Sequence, residues 1–285
     1  MSDDVNREAG QRKYAVFGNP IKQSRSPFIH AEFAKQTGLS LQYRAIRVEL
    51  DGFERAVGDF FKVGGSGLNV TVPFKEQAYQ LASRHSARAI RAKACNTLRP
   101  DGEGVYGDNT DGIGLIRDMV ANHGWNLRGA RILLLGAGGA ARGVMEPLLR
   151  ESPACLVVAN RTVAKAEVLA KEFADLGEVK GQGLIDLDAE LPFDVIINAT
   201  SAGLKGETPT LPETLLGERC CCYDMVYGAQ PTAFMRWAAE NAAWAVSDGL
   251  GMLVEQAAES FYVWHQERPD TASVINHLRG SLAAA

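Results

Sequence analysis

Long apolar runs are missing from this 285-residue sequence. No stretch approaches the ~18 to 20 residues that a membrane-spanning helix needs, so no membrane partner is expected. Positive charge is in slight deficit, with 30 Lys and Arg against 34 Asp and Glu and a net charge of −4. The cations are dispersed, and the basic stripe that would neutralise a row of phosphates is missing, which argues against a nucleic-acid partner. Cysteine is scarce: of five, Cys220, Cys221 and Cys222 are consecutive. That pattern is neither an even disulfide framework nor a C-x-x-C metal spacing, so reduced and mostly buried thiols are expected. His30, His85, His123, His265 and His277 never form a close pair on one helical face, so no metal is expected. Residues 1–13 (MSDDVNREAGQRK) lack the apolar middle of a signal peptide. They read as a frayed polar arm on a soluble, cytoplasmic protein, with the three terminal alanines mobile. Internal repeats and low-complexity tracts are absent as well.

What is present is ordinary globular composition: 46% hydrophobic residues, 22% charged, 29 glycines and 11 prolines. At roughly 150 residues per domain the length implies about two domains. From Arg131 the apolar run RILLL is followed by GAGGAA and then by RGVMEPLLR, which has helical spacing: strand, turn, helix. CLVVAN (155–160) leads into VAKAEVLAKEFADLG, a second strand and helix, with Gly177 as a stop. DVIINAT (194–200), CCCYDMV (220–226) and AWAVSDG (243–249) read as further buried strands. Strands alternating with helices predict a doubly wound parallel sheet of the Rossmann type. YAVFG (14–18), LQYRAIRV (41–48) and GLNVTV (67–72) predict a separate N-terminal α/β domain. After Gly249 only helical periodicity remains, and these last helices are expected to return to the first domain. The expected division is therefore residues 1–111 with 249–285 as one domain and 112–248 as the other.

Gly136, Gly138 and Ala141 form G-x-G-x-x-A between an apolar strand and a helix. The first glycine permits the tight turn, the second a close approach of backbone to a pyrophosphate, and the small third residue lets helix pack on strand. The helix N-terminus favours an anion, so Gly136, Gly138, Gly139 and Ala140 are candidate cofactor-binding residues. An NAD site usually carries an acid at the end of the second strand; here Asn160, Arg161 and Thr162 stand there instead. Arg161 can fork onto a 2′-phosphate with Thr162 and Lys165 assisting, which favours NADP over NAD.

The strand YAVFG leads through Asn19 and Pro20 to Ser24, Arg25, Ser26 and Pro27, where Pro27 suits a first helical position and Ser26 a cap. Two hydroxyls beside a helix N-terminus would also hold a carboxylate, and the local sequence leaves the two readings open. NVTVPFK (69–75) runs from a strand into a helix whose first turn holds Lys75, a cation opposing the helix dipole, which is a reason to suspect chemistry there. GDNTDG (107–112) sets Asp111 before an amphipathic stretch. Asp111 either caps that helix or faces a cleft, since it lies where one domain hands over to the next.

NVTVPFK, ACNT (94–97), GDNTDG, GAGGAA, NRT, NATSAG (198–203), YDMVY (223–227) and DGLGMLVEQAA (248–258) occur in the order found in shikimate dehydrogenases. The sequence resembles that family from Tyr14 to about His265. The resemblance implies reversible reduction of 3-dehydroshikimate to shikimate by NADPH, on the route to aromatic amino acids, with Lys75 and Asp111 as the catalytic pair. It further implies that Ser24 and Ser26 hold the substrate carboxylate, that Thr71, Asn96 and Gln256 bind ring hydroxyls, and that Tyr227 is another substrate contact. Met225 and Gly249 match positions lining the nicotinamide pocket. Three departures stand out: Ala141 replaces a common Ser and so removes a possible phosphate hydroxyl, Lys165 replaces a common Arg, and Cys95 replaces a common Val. The first two predict weaker NADP affinity.

Competing readings are a relative acting on quinate or an aminated shikimate, and a nonenzymatic NADPH sensor. Ser26 in place of a bulkier Thr, with no acid near Arg161, favours shikimate and NADP. A sensor has no use for a proton donor such as Lys75. A monomer or a homodimer is compatible with the sequence.

Overall fold

The computed structural model describes residues 11–200 and 210–284. Most of the predicted polar arm, the end of NATSAG and the last alanine lie outside the described residues.

The first sheet contains β1 (Arg12–Gly18), β2 (Leu41–Arg47), β3 (Gly65–Val70), β4 (Arg84–His85), β5 (Thr97–Asp101) and β6 (Gly104–Asp108). Their order is β2-β1-β3-β5-β6-β4. β1 pairs in parallel with β2 and β3, whereas β5 runs antiparallel to β3 and β6, so the sheet is mixed. β1 is an interior strand, paired on both sides, and its last five residues are buried. Phe17, Leu68 and Val70 meet Phe53, Val57 and Phe74 in one core. The β5–β6 hairpin is absent from the strand pattern read above, although its signal, a glycine opening the two-residue turn Gly102-Glu103, is in the sequence. Gly102 has φ +61° there, the left-handed geometry that a tight hairpin turn demands.

The second sheet contains β7 (Arg131–Leu135), β8 (Cys155–Asn160), β9 (Val179–Gly183), β10 (Phe193–Asn198), β11 (Leu216–Asp224) and β12 (Ala245–Asp248). The order is β12-β11-β10-β7-β8-β9 and every pairing is parallel. Both faces are covered, which is why these strands read as continuous apolar runs. Ile132 and Leu134 enter the core on one face, Leu133 and Leu135 the core on the other. The consecutive cysteines follow the same alternation: Cys221 on the first face, Cys220 and Cys222 on the second, all buried and free. β9 escaped the sequence pattern because VKGQG has few apolar residues. A Cβ at Gly181 would lie 2.4 Å from the backbone of Ala166, so glycine is what lets the helix Val163–Phe173 approach this strand.

The chain forms two compact units: residues 1–110 with 256–274, and 111–255 with 275–285. The helices Leu250–His265 and Ala272–Ala283 each contribute residues to both. Among the described residues no helix is long and apolar enough to cross a membrane.

His30, in the helix Ser26–Thr37, is buried in the first unit with its ring stacked on Tyr43 at 4.2 Å and 7°. Burial pushes its imidazole down to about 3, and nearby His265 adds to the shift. The unfolded chain therefore takes up this proton first as pH falls below about 6.5. Folding stability should drop between there and about pH 3. In His30→Phe that part of the acid dependence should vanish; urea unfolding across this range checks it, and an unchanged slope would contradict the assignment.

Candidate active site

The glycine turn stands at the carboxyl end of β7, where the strand order reverses between β7 and β10, the usual ligand position in such sheets. Gly136 has φ +104°, closed to most side chains, and its N–H bonds the carbonyl of Ala159 at 2.8 Å. The helix Gly139–Arg150 begins directly after it, with no acid in its first turn. Among the described residues, chain neighbours and the helix's own backbone aside, a Cβ at Gly138 or Gly139 would meet no atom within 4 Å. Gly138, Gly139 and Ala140 are exposed. Bare backbone, open space and a helix N-terminus fit a phosphate group. Ala141, by contrast, is fully buried among Val144, Met145 and Leu148. Position 141 thus packs the helix on its sheet.

Asn160 ends β8, and its amide Nδ2 donates to the carbonyl of Thr162 at 2.9 Å, bending the chain into the helix Val163–Phe173. Arg161 and Thr162 on this bend and Lys165 in the helix's first turn are all exposed, and that turn holds no acid. Two cations and a hydroxyl without a carboxylate fit a phosphate-bearing ribose better than a bare diol. Met225 and Gly249 lie at the ends of β11 and β12. A Cβ at Gly249 would stand 2.3 Å from the Met225 carbonyl oxygen, and the Gly249 N–H donates to Val226 O at 3.2 Å. Asp248 accepts the Leu250 N–H at 3.1 Å and pairs with Arg279, whose Nη1 lies 2.8 Å away. Tyr227 follows in the same loop, half-buried.

In the first unit the predicted polar residues converge. Asn96 is buried just ahead of β5; its Oδ1 accepts the Thr110 N–H at 2.9 Å and the Thr97 hydroxyl at 2.9 Å. With the carbonyl side so occupied, Nδ2 donates to Thr110 Oγ1 at 2.9 Å and to Gln256 Oε1 at 3.3 Å. Beneath them Asn69 Nδ2 donates to Asn96 O and to Ser260 Oγ, each at 3.0 Å, while Tyr43 donates to Asn69 Oδ1 at 2.7 Å. Lys75 opens the helix Lys75–Leu81, and its carbonyl accepts the Cys95 N–H at 2.9 Å, which ties its backbone beside Asn96. Thr71, half-buried after β3, has its N–H on Phe17 O at 2.9 Å.

Ser26 is not a cap. The helix begins at Ser26, Arg25 occupies the cap position, and the Ser26 N–H is met by Ser24 Oγ at 3.3 Å. The cap reading fails because the turn closes one residue earlier than the Ser-Pro pair implied. Asp111 is the first residue of the helix Asp111–Arg117 and of the second unit, whereas Lys75 belongs to the first. Gly112 behind it is required: a Cβ there would lie 2.5 Å from Pro147 Cγ and 2.6 Å from Gly143 O.

A buried ionic layer lies outside the residues predicted for the site. Asp108 is 2% exposed and accepts Arg88 Nε and Nη2, both at 2.8 Å. Arg88 Nη1 reaches Glu259 at 3.0 Å, and Glu259 also takes Arg268 at 2.8 Å. The available signal was polar Glu255, Gln256, Glu259 and Ser260 inside an otherwise apolar helix. In the second unit Asp118 is similarly enclosed. Burial raises its carboxyl, but hydrogen bonds from His123, Tyr223 and Asn122 outweigh that and hold it below the usual range. A Cβ at Gly251 would fall 2.0 Å from that carboxylate.

A parallel sheet with this order, carrying a glycine turn at its switch point and joined to a second α/β unit with a polar cluster, defines a two-domain protein of the Rossmann class. Three family profiles match in succession: the shikimate dehydrogenase substrate binding domain over residues 16–98, shikimate / quinate 5-dehydrogenase over 118–208, and the shikimate 5'-dehydrogenase C-terminal domain over 249–279. Shikimate dehydrogenase (NADP(+)) of Alkalilimnicola ehrlichii is 57% identical over 94% of this chain and 98% of its own. The crystal structure of an Ael1 enzyme from Pseudomonas putida is 46% identical, with a TM-score of 0.90 over 94% of this chain and 98% of that one. The structure of shikimate 5-dehydrogenase from Thermus thermophilus in complex with NADP(H) and shikimate is 31% identical, with a TM-score of 0.84 over 95% and 100%. The chain belongs to the shikimate dehydrogenase family.

Proposed function

We propose that this protein is an NADP-dependent shikimate dehydrogenase that reversibly reduces 3-dehydroshikimate to shikimate, and that it works in the cytoplasm as a monomer or homodimer. The observation that carries the reading is the Asn96–Gln256–Thr110 cluster, whose amides and hydroxyl are already oriented by one another and stand one residue from Asp111. Such a cluster suits a small ring bearing several hydroxyls. Residues 1–111 with 249–285 form the substrate domain in this reading, and 112–248 the cofactor domain.

NADPH supplies the hydride when bound. The protein's own part is to hold the ring and manage one proton. Ser24 and Ser26 hold the carboxylate, with Tyr227 as a further contact; Thr71, Asn96 and Gln256 hold the ring hydroxyls. Lys75 delivers a proton to the carbonyl oxygen as it gains negative charge, and Asp111 fixes the amine's position. Gly136, Gly138, Gly139 and Ala140 take the pyrophosphate, Asn160, Arg161, Thr162 and Lys165 the phosphorylated ribose, and Met225 with Gly249 the nicotinamide side.

The direct test mixes the protein with shikimate and NADP and follows absorbance of the reduced nicotinamide, with quinate and NAD as parallel arms. Reduction of NADP by shikimate in preference to the other pairs is expected; none with shikimate would overturn the proposal. Arg161→Asp should raise KM for NADP and spare NAD, because a carboxylate repels the 2′-phosphate. Equal losses with both cofactors would remove Arg161 from that role.

A further inference from the structure

We propose that Arg88, which none of the binding roles above includes, is a positioning residue for the reaction: one guanidinium holds both the loop that delivers Asp111 and the helix that carries Gln256. The inference rests on the function proposed above.

Arg88 lies in the helix Ala87–Ala92. Its Nε and Nη2 form a two-pronged contact with the carboxylate of Asp108, the last residue of β6. Asp108 also takes the Ser86 hydroxyl and the Asn109 N–H, the latter at 2.7 Å. Its backbone carbonyl accepts the Asn96 N–H at 3.0 Å. The next residues continue the tie: Asn109 Nδ2 donates to Ala94 O at 3.0 Å, and the Thr110 N–H to Asn96 Oδ1 at 2.9 Å. Asp111 follows immediately. Arg88 thus anchors the start of a three-residue tether that ends at the proposed catalytic carboxylate and is stitched to Asn96 along its length.

The remaining nitrogen, Nη1, bonds Glu259 at 3.0 Å. Glu259 stands three residues beyond Gln256 on the helix Leu250–His265, nearly one turn along, and Arg268 occupies its other oxygen. The two cations and two carboxylates balance, so the layer holds no uncompensated charge. A planar fork with a third donor in fixed geometry is what joins Asp108 to Glu259. A lysine ammonium, a compact charge on a flexible stem, cannot span both with the same angles.

Small displacements of reacting groups are costly in rate, about 10²-fold for about 1 Å. Arg88→Lys retains the charge and loses the fork. Turnover should fall about 10- to 100-fold and KM for shikimate should rise, while KM for NADP, which is proposed to bind residues of the other unit, stays unchanged. A purely structural ion pair would instead lower the thermal midpoint and leave kcat and KM for shikimate at wild-type values, and that result overturns the inference. If Arg88→Lys does not fold, Glu259→Gln keeps the Asp108 fork and tests the second arm. KM for shikimate should rise there with little change in kcat, and an unchanged KM counts against the inference. Wild-type protein that fails to reduce NADP with shikimate sinks the proposed function and this inference with it; active wild type with an indifferent Arg88→Lys sinks the inference alone.

Discussion

Replacing Lys75 by alanine is expected to cut shikimate turnover by about 10²- to 10⁴-fold, the usual loss when a positioned acid or base is removed. Binding should suffer much less. Asn96, Gln256 and Thr110 hold one another through bonds that do not involve the Lys75 side chain, so the proposed ring-hydroxyl contacts remain. KM for shikimate should therefore change by only a small factor, and the loss should appear in kcat. Asp111→Asn should reduce kcat as well, and the double variant should fall short of the product of the two, because one proton transfer is lost in either case. Steady-state kinetics on folded protein decides this. Near-normal turnover in Lys75→Ala would remove the residue from the chemistry.

The second large effect is expected at Gly249. A methyl there would stand 2.3 Å from the carbonyl oxygen of Met225 and 2.7 Å from its carbonyl carbon. Both are backbone atoms at the end of β11, held by the Met225 N–H on Asn198 O at 3.0 Å, so they cannot swing aside as a side chain would. Gly249→Ala should destabilise the fold by about 1 to 3 kcal/mol and raise KM for NADP, since the Met225 loop must shift. Gly139→Ala provides the contrast. Among the described residues, chain neighbours and its own helix backbone aside, no atom lies within 4 Å of its Cβ, so thermal unfolding should be unaffected, while KM for NADP should rise because a phosphate is proposed to occupy that space. A Gly249→Ala protein with wild-type melting and wild-type NADP kinetics would refute the argument.

Much of this protein is legible one residue at a time. RILLL, CLVVAN and DVIINAT announce buried parallel strands because both sheet faces are covered, and the three cysteines fit that rule as alternating core residues. The glycine turn is equally legible, since positive φ at Gly136 and the open space at Gly138 and Gly139 are demands on the local backbone. Legibility fails where a strand is short and polar, as at β9, or where the decisive partner is distant in the chain. Arg88 looks like a solvated helix residue until Glu259, 171 positions away, is brought to it. The Ser26 cap fails for a smaller reason, a one-residue shift in where the helix closes.

The amino-acid order alone determined the α/β class, the nucleotide turn, the Arg161 bend and the family resemblance, because each depends on short-range periodicity or on motifs a few residues long. The tertiary structure alone decided which residues share a cluster. Asn69, Asn96, Thr110 and the Gln256–Ser260 turn of helix come from four separate places in the chain. Their hydrogen bonds run in fixed directions only because each amide and hydroxyl has a neighbour already committed. Directional contacts between distant segments leave no period in a sequence, and burial without water is what makes each of them obligatory.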